Sequence, residues 1–258
     1  MSATEAESTS LSGGLCRRTW ERIVHERGLV EARSASGRAF RTLVSPMSPD
    51  PVGEVRVFTA ADETEPVAKL VYVGLTVRAI GLDSHMVFAF VRPDLPVPHF
   101  TLDSVQGQGS YAFHLDLIPR ADLGTHLTYL DWAHAPLTPA FEEVSQRPGL
   151  SKAAIGPRQF AMMSPWMLVH RAEEAAFTGI DDAVTTYLDH WFGLLAAPVP
   201  DAVVADVADT DLSLRDARNR ANIFSPDVDH VWAQVARLVG DEAMEDVRAQ
   251  LLDNEVRA

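Results

Sequence analysis

A carboxylate lies where the surrounding residues are apolar. Residues 98–129, PHFTLDSVQGQGSYAFHLDLIPRADLGTHLTY, read as two strands joined by a short glycine-containing turn, with Asp103 in the middle of the first strand. A lone carboxylate in an apolar strand either faces water or lines a cavity, because burying it unpaired costs several kcal/mol or forces it to take a proton. In a cavity such a group is a proton donor. On a strand, His99, Thr101, Asp103 and Val105 share one face, and Phe100, Leu102 and Ser104 the other. A symmetric closure of residues 106–110 sets Asp103 opposite Phe113 in apolar surroundings, which raises its pKa. A slip of one residue sets it opposite His114, and the two then titrate together. Solvent exposure on an edge, or backbone hydrogen bonds at a bulge, is the structural alternative.

Other groups have ordinary uses. Asp116 repeats the apolar setting of Asp103, Asp122 at the strand exit suits a helix N-cap, and Asp227 after Ser225-Pro226 suits a first helical turn. His99 is either a pocket residue or a satisfied core imidazole. No GxGxxG, Walker loop or GxSxG elbow occurs, and the nine histidines form no HExxH pair, so neither a nucleotide cofactor nor a metal is signalled. The single cysteine, Cys16, in a polar N-terminal region, excludes a disulfide framework, a chain-held iron–sulfur cluster and a cysteine-rich zinc site. Any redox chemistry borrows its electrons.

The elements that position these groups follow from periodicity. Trp20, Ile23, Val24, Leu29 and Val30 predict a helix over 15–33, behind a flexible tail at 1–13. Short Val- and Phe-rich runs at 55–60, 67–75 and 86–91 precede the strand pair at 98–119, giving five strands in an antiparallel meander. Helices follow at 122–134, 138–146, 179–196, 210–222 and 226–253, the last broken near Gly240, while 157–172 is ambiguous, its Ser164-Pro165 arguing against one unbroken helix. This order predicts an α+β fold, a three-layer α/β/α sandwich with a central antiparallel sheet and helices on both faces, as one domain over 14–258.

The net charge of −14 argues against nucleic acid and anionic membranes, and residues 173–258 carry −12 of it. Arg17, Arg18 and Arg22 open an arginine-rich stretch at 17–41 that is either a solvated helix face or a dock for an acidic partner. No apolar run reaches the roughly 20 residues of a membrane span, and the N-terminus has no apolar targeting segment, so a cytoplasmic location is expected.

The segments PHFTLDSVQG, YAFHLDLIPRADLGTHLTYL and SPWMLVHRA, in that order, resemble the red chlorophyll catabolite reductases of the ferredoxin-dependent bilin reductase superfamily. The likeness rests on Pro98, His99, Phe100, the acid at 103, Gln106, Leu115, Asp116, Leu117, Arg120, Asp122, Leu123, Tyr129 and Ser164-Pro165. It implies an open-chain tetrapyrrole held between the sheet and the C-terminal helices and reduced by single electrons from external ferredoxin, with no cofactor bound to the chain. It also implies two carboxylate proton donors. Asp103 matches the first, where the plant proteins are expected to carry Glu. Aligning Arg215-Asp216 with a similar pair brings Asp227 to the second, with Asp229 its rival. His99, Thr101, Phe113, His114 and Ser164 are the expected ligand contacts, and Arg17, Arg18 and Arg22 the expected ferredoxin dock; a homodimer is compatible with this reading. A non-reducing pigment-binding protein and a non-redox cyclase or isomerase in the same acid-lined pocket stay open.

Overall fold

The computed structural model describes residues 10–107 and 109–257. Helix α1 (Leu11–Arg27) opens it. Ser10 caps its N-terminus by accepting the Gly13 N–H, and Gly28 ends it in the left-handed conformation at φ 61°. The helix therefore starts before residue 15, and Ser12 and Gly13 of the expected tail are buried in it. Residues 1–9 of that tail lie outside the described residues. Ser10 also donates to Asp83, which fastens this end of the helix to the sheet. Cys16, for all its polar neighbours in sequence, is fully buried on the inner face of α1.

The sheet comprises β1 (Val30–Ala32), β2 (Arg41–Leu43), β3 (Gly53–Thr59), β4 (Val67–Val77), β5 (Leu82–Val91), β6 (His99–Gly107), β7 (Ser110–Ile118), β8 (Leu150–Lys152) and β9 (Leu168–Ala172). All pairings among the described residues are antiparallel, in the order β1-β3-β4-β5-β6-β7-β9-β8, with β2 also on β3. The five-strand meander is β3 to β7. The ambiguous 157–172 resolves into a single helical turn, α4 (Pro157–Phe160), a loop through Ser164-Pro165, and β9 on the edge of β7.

The remaining helices are α2 (Leu127–Ala133), α3 (Thr138–Ser145), α5 (Glu174–Thr178), α6 (Asp181–Ala196), α7 (Asp201–Asp206), α8 (Leu212–Ile223), α9 (Val231–Val239) and α10 (Asp241–Leu252). Asp122 does not cap α2. It accepts from the Gly124 and Thr125 N–H groups in a local turn, and α2 begins five residues later, with Asp206 of α7 accepting the Tyr129 N–H at 2.9 Å.

Alternation along the strands feeds two cores, one on each side of the sheet. On one side Leu70, Val87, Phe100, Leu102, Leu115 and Leu117 pack against α1 and α6, with Trp20 and Trp191 filling the space between. On the other, Val71, Val73, Phe88 and Phe90 pack against α8, α9 and α10 through Phe224, Trp232, Val247 and Leu251. The molecule is a three-layer α/β/α sandwich.

The second core is bounded by buried charge. His99 Nδ1 accepts the Val91 N–H at 3.0 Å, so Nε2 carries the proton it donates to Asp216 of α8 at 2.6 Å. Burial and the Arg120 charge push the His99 pKa down to about 3, so the imidazole is neutral. Burial also works against ionised Asp216, but the His99 hydrogen bond and the charges of Arg120 and Arg220 outweigh it and hold its carboxyl far below the usual range. Arg220 donates to Leu251 O, Asn254 Oδ1 and Asp253 O and lies over the Phe90 ring at 3.7 Å. Lys69, fully buried, donates to Gln250, Asp253 O and Glu255 O. These cations collect the orphan carbonyls at the end of α10. His99 is therefore a satisfied core imidazole, with both ring nitrogens bonded to protein.

Removing one member of such a buried set leaves the rest uncompensated, so Asp216→Asn is expected to cost about 3–5 kcal/mol in denaturant unfolding. Both lowered pKa values mean that the unfolded chain binds more protons in acid. Wild-type stability should fall as pH drops below about 6.5, the unfolded His value, and again below about 4, where unfolded Asp takes its proton. A pH-independent unfolding midpoint between 3 and 6.5 would contradict this.

Candidate functional site

The β6–β7 hairpin sets the site. Gly107 pairs with Ser110 around two residues, of which Gly109 has φ 78°, a conformation that favours glycine. That closure sets Asp103 opposite His114, Thr101 opposite Asp116, and Met86 of β5 on the other side of Asp103. Phe113 consequently projects to the opposite side of the sheet, where it stacks on His170. The symmetric closure is overturned and the alternative with His114 holds; Phe113 is no part of this site.

Asp103 Oδ2 lies 3.3 Å from His114 Nδ1. Among the described residues, Asp103 Oδ1, His114 Nε2 and Thr101 Oγ1 are all buried without a hydrogen-bond partner. Burial disfavours the imidazolium, yet the hydrogen bond to Asp103 and the nearby carboxylates of Asp103, Asp116 and Asp229 outweigh it and hold the His114 pKa above its ordinary value. A contact of 3.3 Å is long for a charge-assisted hydrogen bond, so the pair has room to tighten around a ligand.

These atoms face a chamber of about 210 Å³ between the sheet and the C-terminal helices. Its walls are Met86 and Phe88 from β5, Ile223, Phe224 and Trp232 from α8 and its sequel, and Met162, Met163 and Met167 from the loop after α4. That loop is tied down at one point. Asp116 accepts both the Ser164 N–H at 2.9 Å and the Ser164 hydroxyl at 2.5 Å. Burial raises the Asp116 pKa, and the His114 charge and these hydrogen bonds counter it. Ser164 is thus spent on β7 and holds the methionine loop in place without contacting the chamber itself.

The second carboxylate at the chamber is Asp229, whose Oδ1 accepts the Val231 N–H at 2.9 Å. Burial and the Asp103 charge raise its pKa, against the Val231 and Gln159 hydrogen bonds and the His230 charge. Asp227 is exposed in an outer cleft, where its carbonyl accepts from Arg158. Of the two rivals, the turn after α8 aims Asp229 inward and leaves Asp227 outside.

No family model matches the chain, and no curated protein sequence matches it. Its architecture does have a counterpart. The crystal structure of tomato phytochromobilin synthase in complex with biliverdin superposes with a TM-score of 0.68 over 93% of this chain and 82% of that one, at 16% identity. The two proteins share a fold. Phytochromobilin synthase thus confirms the α+β sandwich, while the low identity leaves site residues to be argued from the geometry.

The expected ferredoxin dock sits elsewhere. Arg18 pairs with Asp181 at 2.7 Å and Arg22 with Asp189 at 2.5 Å, so both fasten α1 to α6; Arg17 lines a cleft at the start of α1. All three belong to the helical layer across the sheet from the chamber. Among the described residues, no three His, Cys, Asp or Glu side chains gather as a metal-ligand set.

The volume sets a requirement. Pockets that enclose drug-sized ligands measure roughly 300–1,000 Å³, so a larger ligand must displace part of the wall. The three methionines of the 162–167 loop are the adaptable part, unbranched side chains on a segment with little secondary structure. The Asp116–Ser164 tether sets them against the chamber as part of its wall.

If Asp103 is what raises the His114 pKa, Asp103→Asn should lower it, read by NMR titration of the ring protons. An unchanged value would break the pairing.

Proposed function

We propose that this protein is a bilin reductase, adding two electrons and two protons to a double bond of a linear tetrapyrrole, the electrons arriving singly from reduced ferredoxin. The observation that carries this reading is the Asp103–His114 pair, with an oxygen and a nitrogen lacking partners in an apolar chamber of the fold that phytochromobilin synthase also has. Its order of segments resembles the red chlorophyll catabolite reductases in particular, and a catabolite of that type is the finer form of the proposal.

The chemistry assigned to the chain is binding and proton delivery. His114 keeps its Nδ1 proton on Asp103 Oδ2 and presents Nε2 to the ligand. The hydrogen bond and charge of Asp103 raise its pKa, which favours the imidazolium whose Nε2 proton would be given up to the ligand. Asp103 Oδ1 accepts a ligand N–H. Asp229, whose pKa burial and the Asp103 charge raise, is the group on the opposite wall assigned to deliver the second proton. The apolar walls exclude water, which strengthens each of these interactions and shields a radical intermediate.

Mixing the purified protein with biliverdin, with and without reduced ferredoxin, tests the proposal. A band shift on mixing, followed by bleaching or a new band only with ferredoxin, is expected; a shifted band that then stays constant would mean binding without reduction. General acid catalysis contributes about 10²–10⁴-fold, and Asp103→Asn removes the carboxylate that supports His114 as the acid, so it should lower turnover by up to that order while leaving the binding shift. Wild-type turnover in that variant would remove Asp103 from the mechanism.

A further inference from the structure

The helical wall of the chamber holds a buried donor that the chemistry above does not use. Trp232, in the first turn of α9, lines the chamber and is 3% exposed, and among the described residues its indole N–H has no acceptor. An indole nitrogen can only donate, and a buried one ordinarily has a partner. Packing fixes the ring. Phe224 meets it edge-on at 6.4 Å between centroids, and the Arg248 guanidinium lies 5.9 Å from its centroid, held there by a 2.7 Å hydrogen bond from Arg248 Nε to Phe224 O. Asp229, one turn earlier in the chain, is engaged with the Val231 N–H and Gln159.

The other unpartnered atoms, Thr101 Oγ1, Asp103 Oδ1 and His114 Nε2, belong to the sheet wall. An acceptor on β6 and a donor on α9 thus face one chamber from its two sides without bonding to each other. Whatever fills the space between them gains most by offering an N–H to the first and an oxygen to the second.

Resting on the bilin reading, we infer that the Trp232 indole N–H donates a hydrogen bond to a carbonyl oxygen of the ligand while Asp103 Oδ1 accepts one of its N–H groups. An open-chain tetrapyrrole offers both, with N–H groups along its inner edge and a lactam carbonyl on each terminal ring. A closed tetrapyrrole ring has no terminal lactam, so it would leave the indole N–H desolvated and unmet. Trp232 is therefore a specificity residue that reads ring opening, and Asp103 and His114 act on a ligand it has selected.

Acridone carries an N–H and a carbonyl on opposite edges of a tricycle, and 9,10-dihydroacridine keeps the N–H and lacks the carbonyl. By fluorescence titration the wild type is expected to bind acridone about threefold or more tightly than dihydroacridine, the scale of one net hydrogen bond. Trp232→Phe, which keeps an aromatic ring and loses the N–H, is expected to abolish that preference. In proton–nitrogen NMR spectra the indole peak missing from Trp232→Phe should move downfield with acridone and stay in place with dihydroacridine. A smaller preference in the wild type, one that survives in Trp232→Phe, an unmoved indole peak, or binding of neither compound overturns the inference. Biliverdin separates it from the bilin reading. Trp232→Phe is expected to weaken biliverdin binding, read by the absorbance shift, about threefold or more; an unchanged affinity overturns the inference and leaves the bilin reading intact. If the wild type does not bind biliverdin, the bilin reading fails, and the acridone pair decides the role of Trp232 alone.

Discussion

The site depends on one backbone constraint, the closure of the β6–β7 hairpin around two residues. Strand faces alternate with a period of two, so a one-residue slip would exchange every side chain between the two sides of the sheet. In the observed register His99, Thr101, Asp103, His114 and Asp116 all face the C-terminal helices, while Phe100, Leu102, Phe113, Leu115 and Leu117 face α1 and α6. The sheet is covered on both sides, so this polar stripe is enclosed and not solvated. Each of its members is then either satisfied by protein or left for a ligand. His99 and Asp116 take the first course; Thr101, Asp103 and His114 retain unpartnered atoms.

The two satisfied members build the walls for the others. His99 and Asp216 join β6 to α8, and Arg220 and Lys69 join α8 and β4 to the end of α10, which fixes the helical layer that carries Phe224 and Trp232. Asp116 holds Ser164 and with it the methionine loop. Buried ion pairs of this kind contribute little net stability compared with apolar replacements of the same volume, but they fix which elements meet. Their cost is consistent with a structure selected for the position of a chamber.

Much of this was legible in the sequence. The meander, the two helical layers and the break at Gly240 follow from periodicity, and Asp103 stood out as an acid in an apolar strand. The register was left as two alternatives, because turn geometry decides between them and a loop containing two glycines and two glutamines permits both. β8 and β9 were missed because strands of three and five residues, one ending in Arg171-Ala172, carry too little alternation to be told from loop. The sequence reads His99 and Ser164 as ligand contacts and Asp227 as a second proton donor, whereas long-range partners fix the first two and chain direction exposes the third. The arginines at 18 and 22 read as a solvated helix face or as a dock, and the acids that hold them, Asp181 and Asp189, lie more than 160 residues away.

A crystal structure of the protein with biliverdin tests the central claim most directly. The account places the tetrapyrrole between β6–β7 and the α8–α9 segment, with a pyrrole N–H within about 3 Å of Asp103 Oδ1 and the methionine loop displaced to admit it. A bilin bound on the α1 side of the sheet, or one in the chamber that leaves Asp103 and His114 without a contact, would contradict it.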